Sequence, residues 1–410
     1  MTLLRSRLVW ALLAANLLAI AAVTWFSLVN QAVEAPLRFV PRSFAALPGW
    51  AAGDPRAALE AFRRSCAEIV KRAPSEPMGL SGYAGTAALW LSPCKALPSS
   101  TVSATDARSF FETWFAPVLI DRTAHFTGYY EPELSGSRLP TQRYRVPIYG
   151  RPKDLVSADL GGFRHTLEGE HIYGRIDGTK LVPYATRADI DAHGLAGAPI
   201  LLYTDDPVSA FFLQIQGSGL VKLNDGEILR LSYAAKNGRP YTPIGRVLIA
   251  QGALDRKSVS MQTIRAWLDA HPSAARSVME ADESFVFFEL APLGDPALGS
   301  AGTEGVPLTQ TASLAVDTRF HPLGAPVYVA TNVPDPDPAK SDRSFQRLLI
   351  AQDTGGAIKG PARGDIFFGA GADATAIAGR LNAHGQFFVL IPKAAAAALG
   401  VGKEFPDAPQ

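Results

Sequence analysis

The first thing the pattern of apolar and polar positions marks off is the N-terminus. After Arg5 and Arg7 no charged residue occurs from Leu8 to Val29, and a run of about 20 apolar residues is what a helix needs to cross a bilayer. The preceding arginines predict that this end stays inside and that everything beyond Asn30 is exported. Ala19 and Ala21 stand at the A-x-A spacing of a signal-peptide cleavage site. The apolar run continues past that site, so residues 1–30 are read as a retained inner-membrane anchor, with a cleaved signal peptide as the alternative. Residues 31–44, with Pro36 and Pro41, read as a tether.

The remainder alternates between two periods. Helical spacing predicts helices in DPRAALEAFRRSCAEIVKR (54–72), with Asp54 as N-cap and Pro55 at the first turn, in DARSFFETWFAPV (106–118) and in SMQTIRAWLDAHP (260–272). From HFTGYYEPELSGSR onward, short apolar runs are broken by Gly, Pro, Asn and Asp: RVPIYG, PILLY, AFFLQIQGSG and ILRLSY. These predict antiparallel β structure. A Gly- and Pro-rich loop, 292–306, precedes a last β-rich segment carrying SLAVD, APVYVAT, FQRLLIAQD, DIFFG and GQFFVLIP.

Charge and special residues narrow the function. A formal net charge of +1, spread along the chain, leaves no basic footprint for nucleic acid. Two cysteines, Cys66 and Cys94, in an exported body predict one disulfide. No HExxH and no Cys or His pair at ligand spacing occurs, so no metal is expected, and no G-x-S-x-G marks a serine nucleophile. The G-x-G-x-x-A at 369–374 imitates a dinucleotide fingerprint, but no acid ends the following strand and too little chain remains for that fold. It reads as a glycine turn feeding a helix, and no cofactor is expected. That leaves carboxylates. Asp317, Asp353 and Asp365 fall at the ends or starts of expected strands, where aspartate commonly forms turns, and spacing alone cannot tell turn from chemistry.

The order of FTGYYEP, LQIQGSG, YAAKNGRPYTPIG, MQTIRAWL, SFVFFEL, SLAVDTRFHPLG and QDTGGAIKGPARGDIFFG resembles that of the membrane-bound lytic transglycosylase A family, over about residues 50–400. The resemblance implies a mainly β fold: a double-psi β-barrel from 45–134 plus 291–405, a second β domain inserted at 135–290, and a groove between them. It implies a lyase, a lytic exotransglycosylase that cleaves the β-1,4 bond between N-acetylmuramic acid and N-acetylglucosamine in peptidoglycan and leaves a 1,6-anhydromuramoyl end. Asp365 would be the single acid and base, with Asp353, Asp317 and Thr127 in support. Gly128, Tyr129, Gln214, Gln216, Ser218, Lys236 and Asn237 would line the groove, with the Tyr129 ring available to stack on a sugar. A protonated Asp365 requires burial or a neighbouring carboxylate, so Lys359 and Arg363 are expected to face solvent or substrate rather than the acid. The implied partners are peptidoglycan glycan strands, the membrane through the N-terminal segment, and other cell-wall enzymes. The implied location is the periplasm. Because the first cysteine is Cys66, no lipobox follows the leader and outer-membrane lipid attachment is not expected.

Overall fold

The computed structural model describes residues 37–164, 167, 170–399 and 404–405; the expected anchor falls outside them. Among the described residues no helix is long and apolar enough to cross a membrane.

The centre is a closed six-stranded barrel. Its strands follow each other as Pro326–Val333, Arg343–Asp353, Ser313–Val316, Arg363–Ala370, Ala124–Glu131 and Asn382–Pro392, and the last pairs back onto the first. Two of the six pairings are parallel, Ser313–Val316 with Arg343–Asp353 and Arg363–Ala370 with Ala124–Glu131. Strands filled from inside and covered outside lose their alternation and become continuous apolar runs. The stretch from Leu348 to Gln352 is buried at every position, as is that from Phe387 to Ile391. One outer cover is the helix Arg56–Ile69, whose Phe62 packs among Phe110, Phe111 and Phe115. The Cys66–Cys94 disulfide ties this helix to Ala87–Lys95, with Cα atoms 5.4 Å apart. Closing that loop contributes about 3 kcal/mol by restricting the unfolded chain.

The Ala124–Glu131 strand leads directly into a second sheet. Its order is Val286–Ala291, Ile228–Lys236, Gly219–Leu223, Glu133–Ser137, Ile200–Thr204 and Val146–Tyr149, and a bridge from Gly150 to Phe288 joins its two ends. The sheet is mixed rather than wholly antiparallel, since Glu133–Ser137 and Gly219–Leu223 run parallel. Leu134, Ile148, Leu202, Leu213, Val221, Leu231 and Phe288 form its core. A buried ion pair, Arg230 to Glu131 at 3.5 Å, fastens it to the barrel, and Glu131 also accepts from the Ser300 hydroxyl at 2.6 Å.

One expected strand is a helix. AFFLQIQ belongs to the helix Pro207–Gln216. Asp206 caps it by accepting from the Val208 amide at 2.9 Å, Pro207 sits in its first turn, and Gly217 ends it in the left-handed region at φ 82°. Those three punctuation residues outrank the apolar run between them. The glycines of the false fingerprint behave as expected: Gly369 and Gly371 have positive φ and lead into the short helix Ala372–Ala378.

Candidate active site

Asp365 lies on the Arg363–Ala370 strand, parallel to Ala124–Glu131 on one side and antiparallel to Ser313–Val316 on the other. The register sets Asp365 opposite Thr127 and opposite Ala315. Residues two apart share a strand face, so Arg363 flanks Asp365 as Tyr129 flanks Thr127. The Thr127 hydroxyl donates to Asp365 Oδ1 at 2.5 Å, and Arg363 Nη2 donates to the same hydroxyl oxygen at 2.6 Å. Arg363 therefore turns inward, against the expectation that it would face away; Lys359 is exposed. Burial pushes the Asp365 carboxyl above the ordinary carboxylate range. The Arg363 charge and the Thr127 hydrogen bond pull it back, and the Asp353 charge adds to the rise.

Asp353 ends the Arg343–Asp353 strand and is held by neutral donors. Its Oδ1 accepts from the Thr303 amide at 3.0 Å, the Thr303 hydroxyl at 2.9 Å and the Thr354 amide at 2.9 Å, while Oδ2 accepts from the Tyr129 hydroxyl at 3.0 Å. Burial still raises it, against those bonds. Asp317 fares differently. Burial pushes it upward as well, but Arg319 at 2.8 Å and the Gly360 amide at 2.7 Å together hold its carboxyl below the usual range. By holding Gly360, Asp317 pins the loop that returns to Asp365. A buried histidine braces the same loop: His321 Nε2 donates to the Pro361 carbonyl at 2.6 Å, and Nδ1 accepts from the Tyr83 hydroxyl at 2.8 Å. Burial drives His321 down to about 4, so the ring is neutral.

The remaining candidates divide. Tyr129 is only 8% exposed, its ring against Phe367 at 5.2 Å and its hydroxyl on Asp353, so it supports the carboxylate and offers no face to a sugar. A Cβ on Gly128 would meet Phe368 at 2.8 Å and the Ala378 backbone at 2.9 Å, so that glycine permits the helix Ala372–Ala378 to approach the strand. Asn237 is 1% exposed and its amide is engaged on both sides. Nδ2 donates to the Ala185 and Glu283 carbonyls and Oδ1 accepts from the Phe285 and Arg239 amides. It holds the sheet rather than a ligand. Gln216 accepts from the Tyr130 amide at 3.0 Å and Gln214 from the Val286 amide at 3.3 Å, so both tie the helix Pro207–Gln216 to neighbouring strands. Ser218 is buried in the turn after that helix. Lys236 lies over the Tyr173 ring at 5.7 Å, and burial together with the Lys359 charge lowers its pKa.

Two residues escaped the sequence reading. Thr303 sits in what was read as a linker loop yet supplies two donors to Asp353. Tyr241, 38% exposed, comes from the second sheet's side. Burial, Asp282 and Asp365 push its hydroxyl up to about 12, which marks it as a neighbour of the acid. Nothing in the spacing of the YTPIG stretch ties it to a carboxylate more than a hundred positions further along the chain.

The arrangement defines a mainly β protein in which a double-psi barrel carries an aspartate raised by burial and steadied by a threonine. Known proteins share the fold. A family model for the MltA specific insert domain matches residues 125–289, and one for the 3D domain matches residues 312–391. The crystal structure of a membrane-bound lytic murein transglycosylase from Agrobacterium tumefaciens has a TM-score of 0.78 at 35% identity, covering 88% of this chain and 99% of that one. Escherichia coli MltA with bound chitohexaose gives 0.62 at 26% identity, covering 87% and 95%. Membrane-bound lytic murein transglycosylase A of Escherichia coli K12 is 33% identical over 270 residues, 65% of either chain, so this chain spans just under two thirds of that relative's length. The chain belongs to the membrane-bound lytic murein transglycosylase A family.

Proposed function

We propose that this protein is a lytic murein transglycosylase that cleaves the β-1,4 bond between N-acetylmuramic acid and N-acetylglucosamine, with Asp365 as its one acid and base. Protonated Asp365 gives its proton to the glycosidic oxygen as the C1–O bond breaks and the bond's electron pair leaves with that oxygen. The resulting carboxylate then takes the proton of the muramoyl C6 hydroxyl as that oxygen closes on C1, giving the 1,6-anhydro ring. A hydrolase needs a second carboxylate to activate water or attack. Here the nucleophile is tethered to the ring, and oriented intramolecular attack reaches effective molarities of about 10⁵ M or more.

The observation that carries this reading is the inequality of the three aspartates. Asp317 is ion-paired and held low, and Asp353 is engaged on both oxygens. Asp365 is raised, with one oxygen on Thr127. The chitohexaose named in the Escherichia coli structure supports a β-1,4-linked aminosugar strand as ligand. We assign 45–134 with 291–405 to the catalytic barrel and 135–290 to the inserted domain, with the strand in a groove between them. Tyr241 and Lys236 would face it from the inserted side. The apolar run Leu8–Val29 suits an exported protein acting in the periplasm at the membrane, where other cell-wall enzymes are at hand.

Product mass tests the reading. Incubation with purified sacculi should release muropeptides one water lighter than their hydrolysed counterparts. Hydrated products would mean a hydrolase, and retention on sacculi without release would mean a binding protein.

A further inference from the structure

Arg363 stands two residues before Asp365 on the same strand, yet its guanidinium closes no ion pair with the acid among the described residues. It reaches Thr127 instead, with Nη2 on the hydroxyl oxygen at 2.6 Å and Nη1 on the Gly364 carbonyl at 2.5 Å. A hydroxyl has one proton to give and lone pairs to receive. Accepting from a cation polarises that oxygen, so it becomes a better donor and a poorer acceptor. Among the described residues the one partner within hydrogen-bond reach for the Thr127 proton is Asp365 Oδ1, at 2.5 Å. Oδ1 is thereby committed as an acceptor whether the acid is protonated or not.

We propose that Arg363 is a positioning residue: by donating to Thr127 it fixes that hydroxyl as a donor to Oδ1 and confines the acid proton of Asp365 to Oδ2. The inference rests on the reading of Asp365 as the acid. In each turnover the proton leaves from Oδ2 to the departing oxygen and returns to Oδ2 from the C6 hydroxyl, while Thr127 keeps its own proton. An acid free to protonate on either oxygen would spend part of its time with the proton turned to Thr127, away from the bond it must cleave. The other charged or titratable groups facing Asp365 are Asp353 and Tyr241; Tyr129 gives its proton to Asp353. The relay also accounts for a cation kept beside an acid that has to stay protonated. Routed through a hydroxyl, the guanidinium directs Thr127 without a hydrogen bond of its own to the carboxylate, and burial still outweighs the pull of its charge.

The test is a double-mutant cycle read by ¹³C NMR titration of the Asp365 carboxyl in substrate-free enzyme, with the pH–rate profile on sacculi beside it. Thr127→Val and Arg363→Met should each raise the apparent pKa, because each removes a group that favours the carboxylate. In the Thr127→Val background the Arg363→Met shift should shrink by about half or more, as coupled neighbours do. Arg363→Lys keeps the charge but not the planar fork; it should leave the pKa nearer wild type than Arg363→Met does and lower kcat with KM unchanged. If Arg363→Met shifts the titration equally in both backgrounds, its charge acts through space and the positioning role is refuted. Equal kcat in wild type and Arg363→Lys refutes it too. Should Arg363→Met fail to fold, Arg363→Lys and Thr127→Val complete the cycle. A wild-type protein that titrates as described but releases no anhydromuropeptides overturns the catalytic reading and leaves the relay judged by the titration.

Discussion

Asp317 and Asp365 sit in the same barrel, on either side of one antiparallel strand pairing, and their carboxyls are driven in opposite directions. Both pay a desolvation penalty that favours the neutral acid. At Asp317 an arginine fork at 2.8 Å and a backbone amide at 2.7 Å more than cancel it. At Asp365 the Arg363 guanidinium donates to Thr127, that hydroxyl is the one hydrogen-bond donor on the carboxylate among the described residues, and the penalty outweighs both the charge and the bond. The residue type is the same, one just past the end of Ser313–Val316 and the other within Arg363–Ala370; the second partner decides which aspartate ties down a loop and which can carry a proton.

Asp365→Asn is the largest break in that comparison. It keeps the shape and removes the transferable proton, so release of anhydromuropeptides should fall by the ~10² to 10⁴ typical of general acid–base catalysis. Thermal stability at neutral pH should hold or rise, because a carboxyl whose folded pKa is raised costs the fold stability when it ionises. Retention of more than about a tenth of wild-type activity would end the assignment.

His321 gives the next effect, and it is one of stability. Its folded pKa of about 4 lies below the ordinary value near 6.5, so its contribution is complete above about 6.5. As pH falls from there toward 4 the unfolded chain takes up the proton first and stability drops, by up to ~3 kcal/mol, with no further loss below. Chemical denaturation across that window should show the decline in wild type, and His321→Gln should flatten it. Asn237→Ala should cost about 2 kcal/mol or more by stranding the amides of Phe285 and Arg239 and two carbonyls, while KM for sacculi stays the same. A raised KM with unchanged stability would return Asn237 to the groove. Asp353→Asn should have the smallest effect, a partial loss within about tenfold, and should move the alkaline limb of the pH profile downward because it removes a charge that raises Asp365.

Much of this was readable in advance because it depends on period and punctuation. The apolar runs at 348–351 and 387–391 announced strands, and the glycines at 369 and 371 announced a turn rather than a phosphate cradle; the barrel came only with the family resemblance. The helix Pro207–Gln216 was also legible, in its Asp206, Pro207 and Gly217, but the apolar run between them was given more weight than its caps. Arg363 is a similar case. Strand alternation puts residues 363 and 365 on one face, which already opposed the expectation that the arginine would turn away. Asn237 and Tyr129 were not legible. Polar groups beside glycine look the same in sequence whether they meet a ligand or four backbone partners, and only the packing of distant segments such as 185 and 283–285 decides.

The most direct measurement is a site-resolved carboxyl titration of Asp317 and Asp365 in one sample of the wild-type protein. The account predicts that Asp365 titrates above the ordinary aspartate value of about 3.9 and Asp317 below it. If the two titrate together, or in the reverse order, the distinction on which the single-acid mechanism depends is contradicted.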